Sequence, residues 1–258
     1  MKAPARRVII SGASSGIGRA LALEYASQGA TLGLIARRAD LLAQLAASLP
    51  ARAHTYAVDV THARSLATVA EDFIARAGCP DVVIANAGVS AGTLTGNPED
   101  NPVFAEIMAT NVVGMMLTFQ PFVEAMKRQR EGVLVGIASV AGFRGLPGAA
   151  AYCASKAAAI SYLESLRVEL HGSGVSVVTI CPGYVATPMT SHNPYRMPFL
   201  LGAELAAAKI AKAIAARKRF YVLPWQMALV GCVLRRLPRA LYDLLFARAP
   251  HKPRRLPD

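Results

Sequence analysis

Seven short apolar runs, at residues 8–10, 31–36, 54–58, 82–85, 133–138, 175–181 and 220–223, alternate with six stretches of helical character. The helical stretches fall at 17–28, 39–48, 63–76, 103–130, 151–171 and 203–217. Strands separated by helices at this spacing pair in parallel, through right-handed crossovers that lay helices on both faces of one sheet. The expectation is an α/β chain with a doubly wound parallel sheet of about seven strands in three α/β/α layers. Hydrophobic residues make up 53% and charged residues 17%, a balance that suits strands covered on both faces and excludes a disordered chain. At 258 residues the chain fits one such domain, and no repeat of 20–50 residues interrupts it.

Two stretches depart from the alternation. Residues 183–202 are proline-broken and carry Tyr184, Met189, Tyr195, Met197, Phe199 and Leu200. They are too irregular for an element and too long for a common connection, and read as a lid over a pocket. The catalytic domain is therefore placed at 1–223, lid included, with a separate extension at 224–258.

The formal charge of +12 is concentrated in one part of the chain. Residues 1–195 hold 15 Lys+Arg against 13 Asp+Glu, whereas residues 196–258 hold 13 against 3. No nucleic-acid motif or aromatic stacking platform accompanies the basic quarter, so no nucleic-acid partner is expected. The fifteen uncharged residues 220–234 are interrupted by Pro224 and fall short of the roughly 20 that span a bilayer. Apolar anchors then mix with Arg235, Arg236, Arg239 and Arg248, a composition suited to an anionic membrane surface, with Trp225 and Tyr242 at headgroup depth. Packing across a subunit or over the pocket is the alternative.

Cys79, Cys153, Cys181 and Cys232 form no C-x-x-C pair and no His stands at ligand spacing, so neither a metal site nor a disulfide framework is expected. The basic N-terminus enters an apolar run that stops at Ser11, too short for a signal-peptide core. The expected location is the cytoplasm, with peripheral attachment to the inner membrane surface if the tail binds lipid.

Ligands of such sheets bind at the carboxyl ends of the strands, and the polar motifs fall there. Ser11 to Gly18 follows the first strand and opens the first helix, the context that a dinucleotide fingerprint requires. Gly12 permits the tight turn, Gly16 close approach of backbone to a pyrophosphate, and Gly18 close packing of helix on strand, with phosphate on the helix N-terminus. The same residues contain G-x-S-x-G at Gly12–Gly16, the elbow of some hydrolases, but the histidines that such a triad needs sit in no persuasive context. Tyr152 and Lys156 stand at i and i+4, so a helix presents phenol and ammonium on one face. A tyrosine has a pKa near 10, and a neighbouring ammonium is expected to move it toward neutral pH, where proton transfer is effective.

Together these residues resemble the short-chain dehydrogenases/reductases. The resemblance runs from Arg6 to Leu223 through the glycine turn, Asp59-Val60, Asn86-Ala87-Gly88, Asn111, Ser139, Tyr152 with Lys156, and Pro182-Gly183 with Thr187, all in family order. It implies a Rossmann-type fold, a nicotinamide cofactor and a homodimer or homotetramer, commonly formed through the helices at 103–130 and 151–171. It also implies a tyrosine-driven oxidoreductase that moves hydride between a nicotinamide and a carbonyl or alcohol. In that family pattern Ser139 holds the substrate oxygen, Tyr152 exchanges its proton, Lys156 holds the nicotinamide ribose, and Asn111 anchors a relay water. The cofactor set is Gly12, Ser14, Ser15, Gly16, Ile17, Gly18, Arg37, Arg38, Asp59, Val60, Asn86, Ala87, Gly88, Tyr152, Lys156, Pro182, Gly183, Val185 and Thr187.

No acid stands after the second strand, where an NAD site needs one, and Arg37-Arg38 follows at once. Guanidinium suits a 2′-phosphate, so NADP(H) is expected over NAD(H), with Arg37 as its first reader and Ser14 as helper. Ser139, Tyr152, Tyr184 and Met189 are the expected substrate contacts, and the apolar lid points to a lipophilic carbonyl compound such as a keto lipid, acyl derivative or steroid. A non-catalytic nucleotide-binding sensor on the same fold is the competing reading.

Overall fold

A computed structural model describes residues 6–191 and 193–254. Its seven-stranded sheet is parallel throughout, in the order β3-β2-β1-β4-β5-β6-β7. The strands are β1 (Arg7–Ser11), β2 (Thr31–Ala36), β3 (Ala53–Ala57), β4 (Val82–Ala85), β5 (Gly132–Ile137), β6 (Val175–Pro182) and β7 (Phe220–Leu223). The pleat sends alternate side chains to opposite faces. Val8 and Ile10 of β1 join one core with Leu21 and Tyr25 of α1 (Gly16–Ser27), Leu42 of α2 (Ala39–Ser48) and Ile210 and Ile214 of the later helix Ala203–Ala215. Ile9 joins the opposite core, which is filled by Phe73 of α3 (Ala63–Ala77) and by Phe119, Phe122 and Leu163 of the helices described next.

The expected helix 103–130 is one rod of three parts: α4 (Asn101–Met108), a π-helical turn at Ala109–Val113, and α5 (Gly114–Gln129). By length and composition the run Pro98–Gln129 could cross a membrane, but half of its apolar window is buried, and Met115, Phe119, Phe122 and Met126 spend that apolarity on the sheet. α6 (Ala150–Glu169) follows β5, and α7 (Ala203–Ala215) follows the irregular residues 183–202, whose base is pinched by paired backbone at Val185 and Leu201.

The extension departs from expectation. Pro224 does divide the uncharged run 220–234, between β7 and α8 (Trp225–Arg236), which it caps, and Pro238 caps α9 (Arg239–Phe246). Proline suits both places because the first amides of a helix lack internal partners in any case. Both helices pack on their own chain. The Arg144 guanidinium donates to the carbonyls of Leu234 (2.8 Å) and Leu237 (3.1 Å), and Phe143 fills the space over Gly231. Tyr242, expected at a lipid headgroup, is buried instead: its hydroxyl donates to the Gly145 carbonyl and Arg144 lies 4.2 Å over its ring. Trp225 is 67% exposed.

Candidate active site

β1 and β4 are neighbours whose crossovers leave in opposite directions, and the crevice at their carboxyl ends holds a cleft of about 370 Å³. Every residue of the expected cofactor set lines it apart from Gly18, which shapes the turn from behind. Gly12 has φ +67°, and a Cβ there would lie 2.7 Å from the Ala87 Cα. A Cβ on Gly18 would lie 2.2 Å from the Gly12 carbonyl oxygen. The turn therefore closes on itself with no room for a side chain at Gly12 or Gly18. Asn86 ties it to β4, donating from Nδ2 to the carbonyls of Ser11 (3.0 Å) and Gly12 (3.2 Å). The Ser11 hydroxyl in turn accepts from the amides of Asn86 and Ala87. Ser14 uses its hydroxyl to accept from Arg38, and the lining contains no histidine, so nothing activates a nucleophile elbow.

The two arginines after β2 point to different neighbours. Arg38 donates from Nη2 to the hydroxyls of Ser14 (2.9 Å) and Ser15 (3.0 Å), whereas Arg37 leans on Asp59 at 3.7 Å. Ser14, expected as the helper of Arg37 at a 2′-phosphate, is thus bonded to Arg38. Burial pushes the Asp59 carboxyl up, but hydrogen bonds from the Thr61 amide and hydroxyl and the charge of Arg37 more than offset it, leaving it below the usual carboxylate range.

Ser139, Tyr152 and Lys156 meet at the far end of the cleft, together with Gly88 and Val89. Ser139 ends the chain's exit from β5 and caps a short turn, its Oγ accepting from the Ala141 amide at 3.1 Å. Tyr152 and Lys156 share one face of α6. Burial raises the phenol to about 12, while the Ser139 hydroxyl beside it pulls the other way. Burial also lowers the Lys156 amine to about 8. The amine donates to the Ile137 carbonyl at 2.9 Å and stands 5.8 Å from the centre of the tyrosine ring. Lowering of the phenol by Lys156 is absent from this geometry, because desolvation outweighs a charge held that far off.

Asn111 occupies the π-helical turn and is fully buried. Its Oδ1 accepts from the Val89 amide (2.8 Å), and its Nδ2 donates to the Val89 carbonyl (3.0 Å) and the Ser155 hydroxyl (3.0 Å). The side chain thereby stitches the loop after β4 to α6 and brings Gly88 up to Lys156. Of the expected substrate contacts, Met189 lines the cleft with Pro188 and Thr190, whereas Tyr184 packs edge-on against Tyr195 at 6.4 Å. Val58, Val89 and Thr110 line the cleft without having been expected. For Val58 and Val89 the position beyond a strand end was the available signal; Thr110 lies in the helical turn beside Asn111.

The family model for short chain dehydrogenases matches residues 6–196. A relative from Myxococcus xanthus named an uncharacterized oxidoreductase is 38% identical over 241 residues, covering 92% of this chain and 95% of its own. The crystal structure of a short-chain dehydrogenase from Streptomyces avermitilis superposes with a TM-score of 0.79 at 27% identity, covering 89% and 93% of the two chains. An alcohol dehydrogenase from Thermococcus sibiricus, solved with 5-hydroxy-NADP, gives 0.74 at 25% identity, covering 84% and 94%. A sheet wound about this crevice, with tyrosine and lysine facing a glycine turn, defines a nicotinamide-binding oxidoreductase fold. The chain belongs to the short-chain dehydrogenases/reductases.

Proposed function

We propose that this protein is an NADP(H)-dependent reductase or dehydrogenase of a lipophilic carbonyl or alcohol substrate, with Tyr152 as general acid and base. The convergence of Ser139, Tyr152 and Lys156 in one cleft with a glycine turn that has no space for a Cβ at Gly12 or Gly18 carries this reading. The cradle fits a dinucleotide: the glycine turn leaves backbone amides bare for a pyrophosphate, and Arg38 with Ser14 and Ser15 forms a donor cluster suited to a 2′-phosphate. Bound there, the nicotinamide would supply or take up hydride. Lys156 would turn from Ile137 to the ribose hydroxyls and bring its charge to Tyr152. Ser139 would donate a hydrogen bond to the substrate oxygen while the Tyr152 hydroxyl gives it a proton. Asn111 keeps the loop and α6 in register for both.

The apolar lid residues Met189, Phe199 and Leu200 are each more than 40% exposed, and support a greasy substrate. On the outer faces of α8 and α9, Trp225, Leu229, Val233, Leu244 and Leu245 are 59–76% exposed among Arg235, Arg236, Arg239 and Arg248. An apolar face rimmed by cations suits the anionic surface of a membrane, where such a substrate would reside. Oligomerisation through the helices α4 to α6 belongs to the same proposal, with Phe104, Val113 and Val168 exposed on them.

A panel of ketones and aldehydes, long-chain and short, assayed with NADPH and with NADH, tests the proposal. Turnover of the apolar members with NADPH preferred is the expected result. Turnover confined to small polar sugars, or equal use of NADH, overturns the substrate or the cofactor assignment respectively.

A further inference from the structure

After α9 the chain turns back and lays residues 251–254 against the segments after β4 and before α6, beside the Tyr152 ring. The docking is built into the core. Gly92, beyond β4, donates its amide to the Pro253 carbonyl at 2.8 Å, and a Cβ on it would lie 2.2 Å from the Lys252 carbonyl oxygen. Gly148, before α6, would meet His251 at 2.7 Å in the same way. Two notches thus receive the strap. Arg254 latches it, donating from Nε and Nη2 to both oxygens of Asp100 at 2.9–3.1 Å and from Nη2 to Glu99 at 3.4 Å. Asp100 is only 4% exposed and also accepts from the Leu94 amide, so the anchor is rigid.

The latched strap sets the Lys252 amine 5.4 Å from the centre of the Tyr152 ring. Lys252 is partly buried, and burial holds its pKa below the usual value. Among the described residues it has no carboxylate partner within salt-bridge distance, unlike Arg254 two residues on. Its titratable neighbours do not neutralise it either: burial pushes the Tyr152 phenol and the Cys153 thiol up, keeping both protonated. Asp59, among the described residues the only carboxylate lining the cleft, belongs to the opposite end, with Arg37. A partly desolvated ammonium without a counter-ion is a cost that a bound anion removes.

We propose that Lys252, presented by the C-terminal strap, recognises a carboxylate or phosphate on the substrate, so that the substrate is an anionic amphiphile rather than a neutral lipid. The inference rests on reading Tyr152 as the group beside the reacting oxygen. The strap lies on the segments after β4 and before α6 and not on the glycine turn, so the anion it reads belongs to the substrate and not to the dinucleotide.

The test compares 3-oxodecanoate, its methyl ester and 3-oxodecyl phosphate, by calorimetric binding to the NADP+-saturated full chain and by turnover with NADPH. Wild type is expected to bind one or both anions at least about tenfold more tightly than the ester. Preference for one anion alone fixes the headgroup class. Lys252→Met is expected to abolish the preference and Lys252→Arg to keep it, with melting temperature and NADP+ affinity unchanged in both. Equal binding of acid, phosphate and ester by wild type overturns the proposal, as does a preference that survives in Lys252→Met. If deletion of residues 248–254 raises turnover of all three alike, the strap is an occluding lid and the proposal falls. An anion preference without turnover of any probe would instead refute the reductase reading and leave the recognition standing.

Discussion

Lys156 donates its ammonium to the main-chain carbonyl of Ile137 at 2.9 Å and stands 5.8 Å from the centre of the Tyr152 ring. Two buried groups of opposite titration behaviour therefore sit side by side: an amine lowered to about 8 and a phenol raised to about 12. In the unfolded chain the amine keeps its proton up to the ordinary 10.5, whereas in the folded chain it loses it near 8. Between those values unfolding takes up a proton, so rising pH favours the folded state through this group. The buried charge costs on the order of 3 kcal/mol below pH 8, at 1.36 kcal/mol per pKa unit. Urea unfolding of wild type and Lys156→Met should differ by an amount that shifts toward wild type as pH rises from 8 to 10. A difference constant over that range would contradict the burial of a charged amine. Above pH 10 the phenol works the other way, since its folded value is raised and the protonated folded state loses ground.

Arg38, bonded to Ser14 and Ser15, is the proposed reader of a 2′-phosphate, and Arg37 is drawn toward Asp59. Arg38→Asp should lower the NADPH to NADH ratio of kcat/KM by about ten- to a hundredfold, the worth of one or two charge-assisted hydrogen bonds. Arg37→Asp should lower it less. An Arg37 effect larger than that of Arg38 would reassign the phosphate reader.

Gly18→Ala puts a Cβ 2.2 Å from the Gly12 carbonyl oxygen, which belongs to backbone and cannot step aside. The expected loss is about 1–3 kcal/mol of stability, as for other overpacked sites, with NADP+ binding weakened in parallel. Thermal melting with and without NADP+ measures both.

Leu229 and Val233, 59% and 63% exposed on the outer face of α8, do not line the cleft. The pair Leu229→Gln and Val233→Gln should reduce co-flotation with phosphatidylglycerol vesicles and leave turnover of a soluble substrate intact. Wild type that ignores such vesicles at low salt would refute the membrane proposal.

Much of this was legible in the chain. Strands 31–36, 82–85 and 220–223 and the helix 39–48 begin and end in the structure where apolar runs and periodicity place them; in 31–36 and 82–85 burial on both faces leaves an unbroken apolar signature. The glycine turn, Asp59, Asn86 and Ser139 likewise fall just beyond strand ends, where the topology gathers them, and α6 brings Tyr152 and Lys156 to the same cleft. Three features were hidden. The π-helical turn at Asn111 arises from bonds to Val89 and Ser155, partners remote in sequence. The choice between Arg37 and Arg38 depends on which way each side chain leaves β2. The strap depends on Arg254 meeting Asp100, 154 positions away, and local pattern carries no trace of a pairing that distant.

The general-acid role of Tyr152 is the central claim, and Tyr152→Phe tests it most directly because it removes one oxygen and keeps the ring. Reduction of a ketone substrate with NADPH should fall by about a hundred- to ten-thousandfold in kcat, while NADPH affinity measured by fluorescence stays within about twofold. Unchanged kcat in Tyr152→Phe, with the cofactor still bound, would contradict it.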